Sequence, residues 1–166
     1  LPKEEREQTE LAEAFDRHGV ALFNRGDTQA ALNAFWPNFM LRLEIVTRHP
    51  SDRGPIRDFA SAQDLIGLAC IALNKVTTAD EMLSEALTYR RGLFQDDPSD
   101  PHAALLYGVA LSHMGRLEQA KGNDAPALDY LRQARDHLVE VNRTWRNVSF
   151  IEREPAGAVE RLKAIG

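Results

Sequence analysis

One cysteine, Cys70, stands in 166 residues, so an internal disulfide is excluded and the lone thiol says little about compartment. Basic residues are outnumbered, 20 against 25, which argues against a nucleic-acid surface, since such a surface usually needs a basic stripe. Arg143, Arg146 and Arg153 cluster, but acids are interleaved with them. No apolar run approaches the roughly 18 residues of a membrane-spanning helix, and no membrane span is expected. The opening LPKEEREQTE is polar and lacks a signal-peptide pattern, which favours a cytoplasmic setting, or a periplasmic one had a leader been removed. Nothing alternates apolar and polar with a period of two between hairpin turns, so a sheet is not expected. Hydrophobic residues at 43% and charged ones at 27% remain, enough for a folded core and too apolar for disorder.

What the sequence does have is a repeat. His49-Pro50-Ser51-Asp52 returns as Asp97-Pro98-Ser99-Asp100, an offset of 48 residues. The same offset carries Gly19 to Gly67 and Gly115, Ala31 to Ala79 and Ala127, and Phe35 to Leu83 and Leu131. It also carries Gly26 to Asn74 and Gly122, residue types that end helices by accepting a left-handed backbone. Small, apolar and helix-stop positions return together, the signature of a repeat array.

Each unit reads as two helices. The first pair is expected over about Thr9 to Arg25 and about Thr28 to Arg48, with a stop at Gly26-Asp27. Unit two opens near Pro55, and its second helix near Thr78, where Glu81 completes a capping-box pattern. Asp100-Pro101 opens unit three, Gly122-Asn123-Asp124 divides it, and Pro126 lies in a first turn where it is tolerated. Pro37 falls mid-helix and is expected to kink or split that element. Asn142 to Glu154 is ambiguous. From Pro155 a short amphipathic helix reads as a cap over the last open apolar face.

The units resemble the tetratricopeptide repeat, W-x2-L-G-x2-Y, then A-x3-F, then P. Phe15 to Leu22 matches the first part with Phe for Trp, His18-Gly19 for L-G and Leu22 for Tyr, and Ala31 to Phe35 matches the second. Ile66-Gly67 with Ala79 and Leu83, and Met114-Gly115 with Ala127 and Leu131, follow in register over roughly residues 9 to 140. Gly108 offers a second alignment for unit three, seven residues earlier. The departure is length, 48 residues against the family's 34. Fourteen extra residues make about four turns, and seven per helix drift only about 20° from whole turns, which keeps each apolar face in place. This long form is similar to repeats in bacterial multidomain signalling proteins, where strings like Arg57-Asp58-Phe59 precede the L-G pair.

The expected fold is therefore all-α: a right-handed α-solenoid of about three antiparallel helix pairs plus a C-terminal capping helix. The whole chain, 1–166, reads as a single repeat domain with units at about 9–52, 55–100 and 101–142 and a cap at 155–165. Gly19, Gly67 and Gly115 let helices approach closely, with Ala31, Ala79 and Ala127 opposite. Phe15, Leu22, Phe35, Ile66, Leu83, Met114 and Leu131 fill the core.

Such arrays bind partners, and the expected function is protein–protein interaction. Spacing by four and three residues assigns the concave groove to Asp16, Val20 and Phe23, then Asp64, Leu68 and Ile71, then Ser112, Arg116 and Gln119. An extended peptide or a partner helix would lie there. Val20, Leu68 and Ile71 read equally well as core covered by the next unit. Acids at Asp16 and Asp64 are wrong for gripping a terminal carboxylate and favour a partner segment carrying Lys or Arg. A secretion-type chaperone and a ligand- or peptide-sensing domain are the alternatives, and self-association stays open.

No catalytic constellation and no cofactor are expected. The histidines His18, His49, His102, His113 and His137 show no metal-ligand spacing, and Cys70 in the apolar stretch Leu68 to Leu73 reads as packing. Asp96-Asp97 and Asp100 read as caps before the Pro-opened helix. Trp36 and Trp145 read as packing residues, with Trp36-Pro37 as an alternative exposed contact.

Overall fold

Three short strings reverse the chain, and each does so with the same backbone device. Gly26, Asn74 and Gly122 adopt left-handed conformations, with φ of 87°, 56° and 79°. At each, the amide of the left-handed residue reaches back three residues, to Phe23, Ile71 and Gln119, all at 3.0 Å. The next amide reaches back five, to Leu22, Cys70 and Glu118, at 3.0, 2.8 and 2.9 Å. That is the Schellman pattern, which satisfies carbonyls a helix end would otherwise leave open. Its return every 48 residues places a hairpin bend in each unit.

The computed structural model describes residues 2–146, and among these the secondary structure is entirely helical. The helices are α1 (Lys3–Asn24), α2 (Thr28–Arg48), α3 (Arg53–Ala72), α4 (Val76–Asp96), α5 (Pro101–Ala120) and α6 (Asp124–Thr144). None is long and apolar enough to cross a membrane. The chain divides into two compact units, with the boundary between Tyr89 and Arg90, inside α4.

In the first unit α1 packs antiparallel on α2, α2 on α3, and α3 on the first part of α4. The glycines set the approach. A Cβ on Gly19 would stand 2.6 Å from Phe35 Cδ1, and one on Gly67 would stand 2.5 Å from Leu83 Cδ2. Phe35, Leu83, Ala31 and Ala79 are buried, as the close-contact reading requires. A row of rings joins the helices: Trp36 meets Phe39 edge-on at 5.6 Å, Phe39 meets Phe59 at 5.2 Å, and Phe59 meets Tyr89 at 5.8 Å. Trp36 is half-buried in that row.

In the second unit α5 packs antiparallel on α6. A Cβ on Gly115 would stand 2.6 Å from Leu131 Cδ2, in register with the two earlier glycines. Gly108 is equally tight, against Leu138 and His137, so both glycines of the ambiguous alignment face α6. Phe94 stacks on Tyr107 at 5.5 Å, and His137 stands edge-on to both at 5.0 Å. Its Nε2 donates to the Ala104 carbonyl at 2.7 Å.

The helices depart from the sequence reading in three places, two of them helix starts. α1 begins at Lys3 rather than near Thr9. Glu4 and Glu5 suit a first turn, and Glu5 is buried against His49 at 3.0 Å and Arg48 at 3.8 Å, which ties the start of α1 to the end of α2. α4 begins at Val76, so Thr78 lies inside the helix and forms no cap there; the Asn74 bend releases the chain two residues earlier. Pro37 does not split α2, which runs unbroken from Thr28 to Arg48. The carbonyl deprived of its partner belongs to exposed Asn33, within reach of water, while Phe35, Asn38 and Arg42 are buried on either side of the proline. Asp100 caps α5 as expected, accepting from the amides of His102 at 2.9 Å and Ala103 at 3.2 Å. Asp97 accepts from the Ser99 amide and hydroxyl at 3.1 and 2.6 Å. The ambiguous stretch is helical as far as Thr144. The rest of it and the expected cap at 155–165 lie outside the described residues.

Candidate partner-binding faces

The predicted groove residues fall on the first helix of each hairpin. In the first unit Asp16, Val20 and Phe23 share one side of α1, and Asp64, Leu68 and Ile71 share one side of α3, each set rising by four and then three residues. Val20, Phe23, Leu68 and Ile71 are half-buried, between the core and groove readings. Asp64, expected to be exposed, is buried, because α3 is flanked by α2 on one side and by Leu83 of α4 on the other. In the second unit Ser112, Arg116 and Gln119 lie along α5. Ser112 is half-buried and its hydroxyl donates to the Val109 carbonyl at 2.7 Å, while Arg116 and Gln119 are exposed.

Around Asp16 the first unit assembles charge that the groove reading missed. Arg42, buried on α2, sends Nη1 to Asp58 Oδ2 on α3 at 3.2 Å. Arg57 meets the other oxygen of Asp58 at 3.3 Å. Asp16 stands in the field of both Arg42 and Asp58. Burial pushes the Asp16 carboxyl above its ordinary value, against the pull of the Arg42 and Arg17 guanidiniums. A signal for Arg42 was present: the 48-residue offset that takes Asp16 to Asp64 also takes Arg42 to Arg90, and both arginines are buried. For Asp58 the string Arg57-Asp58-Phe59 marked the place without its partner.

Cys70 is buried, and burial pushes its thiol up although Lys75 pulls it down, away from the thiolate a nucleophile needs. His49 stands between Glu5 at 3.0 Å and Asp52 at 3.3 Å, and His137 is committed to the Ala104 carbonyl. Among the described residues no group of three or more His, Cys, Asp or Glu is placed to hold a metal ion. Along α1 and α3 the first unit thus carries half-buried apolar side chains, Val20, Phe23, Leu68 and Ile71, with half-buried Asp16 and buried Asp64 in the same rows.

Comparison with family models, with curated proteins and with solved structures finds no match for this chain.

Proposed function

We propose that the chain is a protein-interaction module of the tetratricopeptide-repeat type, an α-solenoid acting within a larger regulatory or signalling protein. The observation that supports it is the threefold return of one contact. Gly19 on Phe35, Gly67 on Leu83 and Gly115 on Leu131 place the same pair of positions in apposition in every hairpin. Repeats built this way hide apolar faces by stacking and leave the first helices available to a partner.

The binding face lies on the first helices, with Val20, Phe23, Leu68 and Ile71 as apolar anchors. Asp16 selects the partner's charge: an ammonium or guanidinium placed beside it offsets the desolvation that raises its proton affinity. The partner is a peptide or helix carrying Lys or Arg next to an apolar residue. Leu68→Glu with Ile71→Glu tests this. The expected result is loss of the partners captured from the native organism, identified by mass spectrometry, with helicity unchanged by circular dichroism. Retained capture by the folded double variant would refute this location.

A further inference from the structure

The first unit carries an apolar face that its own repeat does not use. Leu11, Met40 and Leu43 are 50%, 56% and 36% exposed, and they are the unit's exposed large hydrophobic side chains among the described residues. Met40 and Leu43 line an open groove of about 490 Å³ between α2 and the start of α1, with Glu4, Gln8, Glu44 and Arg48 around it. Leu11 continues the α1 row of Glu4 and Gln8, four and then three residues on.

The repeat register shows what kind of object fits. Forty-eight residues after Leu11 stands Phe59, which is 3% exposed because a neighbouring helix covers it, with Phe39 of α2 at 5.2 Å. The row containing Leu11 is thus a helix-docking row, and among the described residues no helix occupies it. On the α2 side the register replaces Met40 and Leu43 by Thr88 and Arg91, both exposed and polar. Apolar side chains at 40 and 43 are an addition to the repeat pattern. Together the two helices present a strip one helix wide.

Charge selects the occupant. The Arg48 guanidinium is answered by Glu5 at 3.8 Å and also bonds Gln8. Among the described residues the Glu44 carboxylate meets the neutral Gln8 Nε2 at 3.0 Å and no cation, the Arg48 Nε going to the Glu44 backbone carbonyl at 3.4 Å, and Glu4 has no ion pair. The groove is therefore acidic at its edge. A second copy of this chain would bring the same two acids, Glu4 and Glu44, for its one Arg48, an excess of like charge across the contact. We propose that this face docks an amphipathic helix of another protein, its apolar row flanked by Lys or Arg. The site is separate from the first-helix face above and does not rest on it.

The probe is a labelled synthetic 18-residue helix with leucines at heptad spacing and flanking lysines, alongside a twin with glutamates in place of the lysines. Fluorescence anisotropy should show the basic helix binding at least about tenfold more tightly than the acidic one. Met40→Glu with Leu43→Glu should weaken the basic helix by about tenfold or more, even though it adds negative charge that would strengthen a merely electrostatic association. Leu11→Lys should also weaken it, and circular dichroism should show both variants folded, since all three side chains are exposed. Glu4→Lys with Glu44→Lys should reverse the preference between the twins. In the Leu68→Glu with Ile71→Glu background, where the first-helix face is disabled, the basic helix should still lose about tenfold on adding Met40→Glu with Leu43→Glu, which separates this result from the fate of the other face. Equal binding of the two helices would overturn the proposal, as would binding indifferent to Met40→Glu with Leu43→Glu. So would a dimer seen by sedimentation in the parent and lost in that variant, which would give the face to a second copy.

Discussion

Replacing Gly67 by alanine sets two effects of opposite sign against each other. Alanine is worth about 1 kcal/mol over glycine in a helix interior. Against that, the new Cβ would stand 2.5 Å from Leu83 Cδ2 and 3.2 Å from Cδ1. Leu83 is fully buried, and its Cγ, close to the backbone, is among the atoms struck, so the side chain cannot swing clear. α3 and α4 must move apart, and overpacking of this kind costs about 1–3 kcal/mol. The net expectation is a loss of about 1 kcal/mol, or roughly 2–4 °C in Tm for a chain of this size. The double variant isolates the cause. Leu83→Ala alone should lose about 2–5 kcal/mol. In that background Gly67→Ala should turn stabilising, because the steric term is gone and the helix-propensity gain remains. Gly92→Ala in α4, where nothing lies within 4 Å of the new Cβ, is the control and should stabilise outright. Urea and thermal unfolding of the four proteins of the cycle measure the sign change. A Gly67→Ala effect of the same sign and size with and without Leu83 would refute the close-contact argument.

Three further expectations follow from particular residues. Gly122→Ala, at φ of 79°, should lose about 1–2 kcal/mol, whereas Asn74→Gly, at φ of 56°, should be neutral or stabilising; thermal melts of both compare the same bend in opposite directions. Asp100→Ala should cost about 1 kcal/mol by freeing the His102 and Ala103 amides, read from the urea midpoint. Because burial raises the Asp16 carboxyl, the folded protein holds its proton more tightly than the unfolded chain. This group's contribution to stability is therefore full below the ordinary aspartate range and lost as pH rises through the folded value. Asp16→Asn should remove that fall and raise Tm at pH 7 relative to the parent, and a lower Tm at pH 7 with a parallel pH profile would show the reasoning wrong.

The bends and close contacts were the legible part, because each depends on a residue type with few substitutes. Only glycine or asparagine readily takes the conformation at positions 26, 74 and 122, and only a residue without a side chain fits against Phe35, Leu83 or Leu131. α2 was read to both its ends for the same reason, between the Gly26 bend and Pro50. The start of α1 was not legible, since the contacts that order it, from Glu5 to Arg48 and His49, span more than 40 residues of sequence. The survival of α2 through Pro37 depends likewise on which side of the helix Asn33 faces. On the candidate face, the row positions could be counted from the heptad-like spacing. The burial of Asp64 and the Arg42–Asp58 pair could not, because they depend on three helices meeting.

The three glycine contacts join residues only 16 positions apart, Gly19 to Phe35, Gly67 to Leu83 and Gly115 to Leu131. Each closes a short loop whose bend is already fixed by its own left-handed residue. Assembly of a hairpin therefore waits on little chain diffusion, and low contact order of this kind goes with rapid folding. On a ribosome, α1 and α2 can pair while α5 and α6 are still unsynthesised.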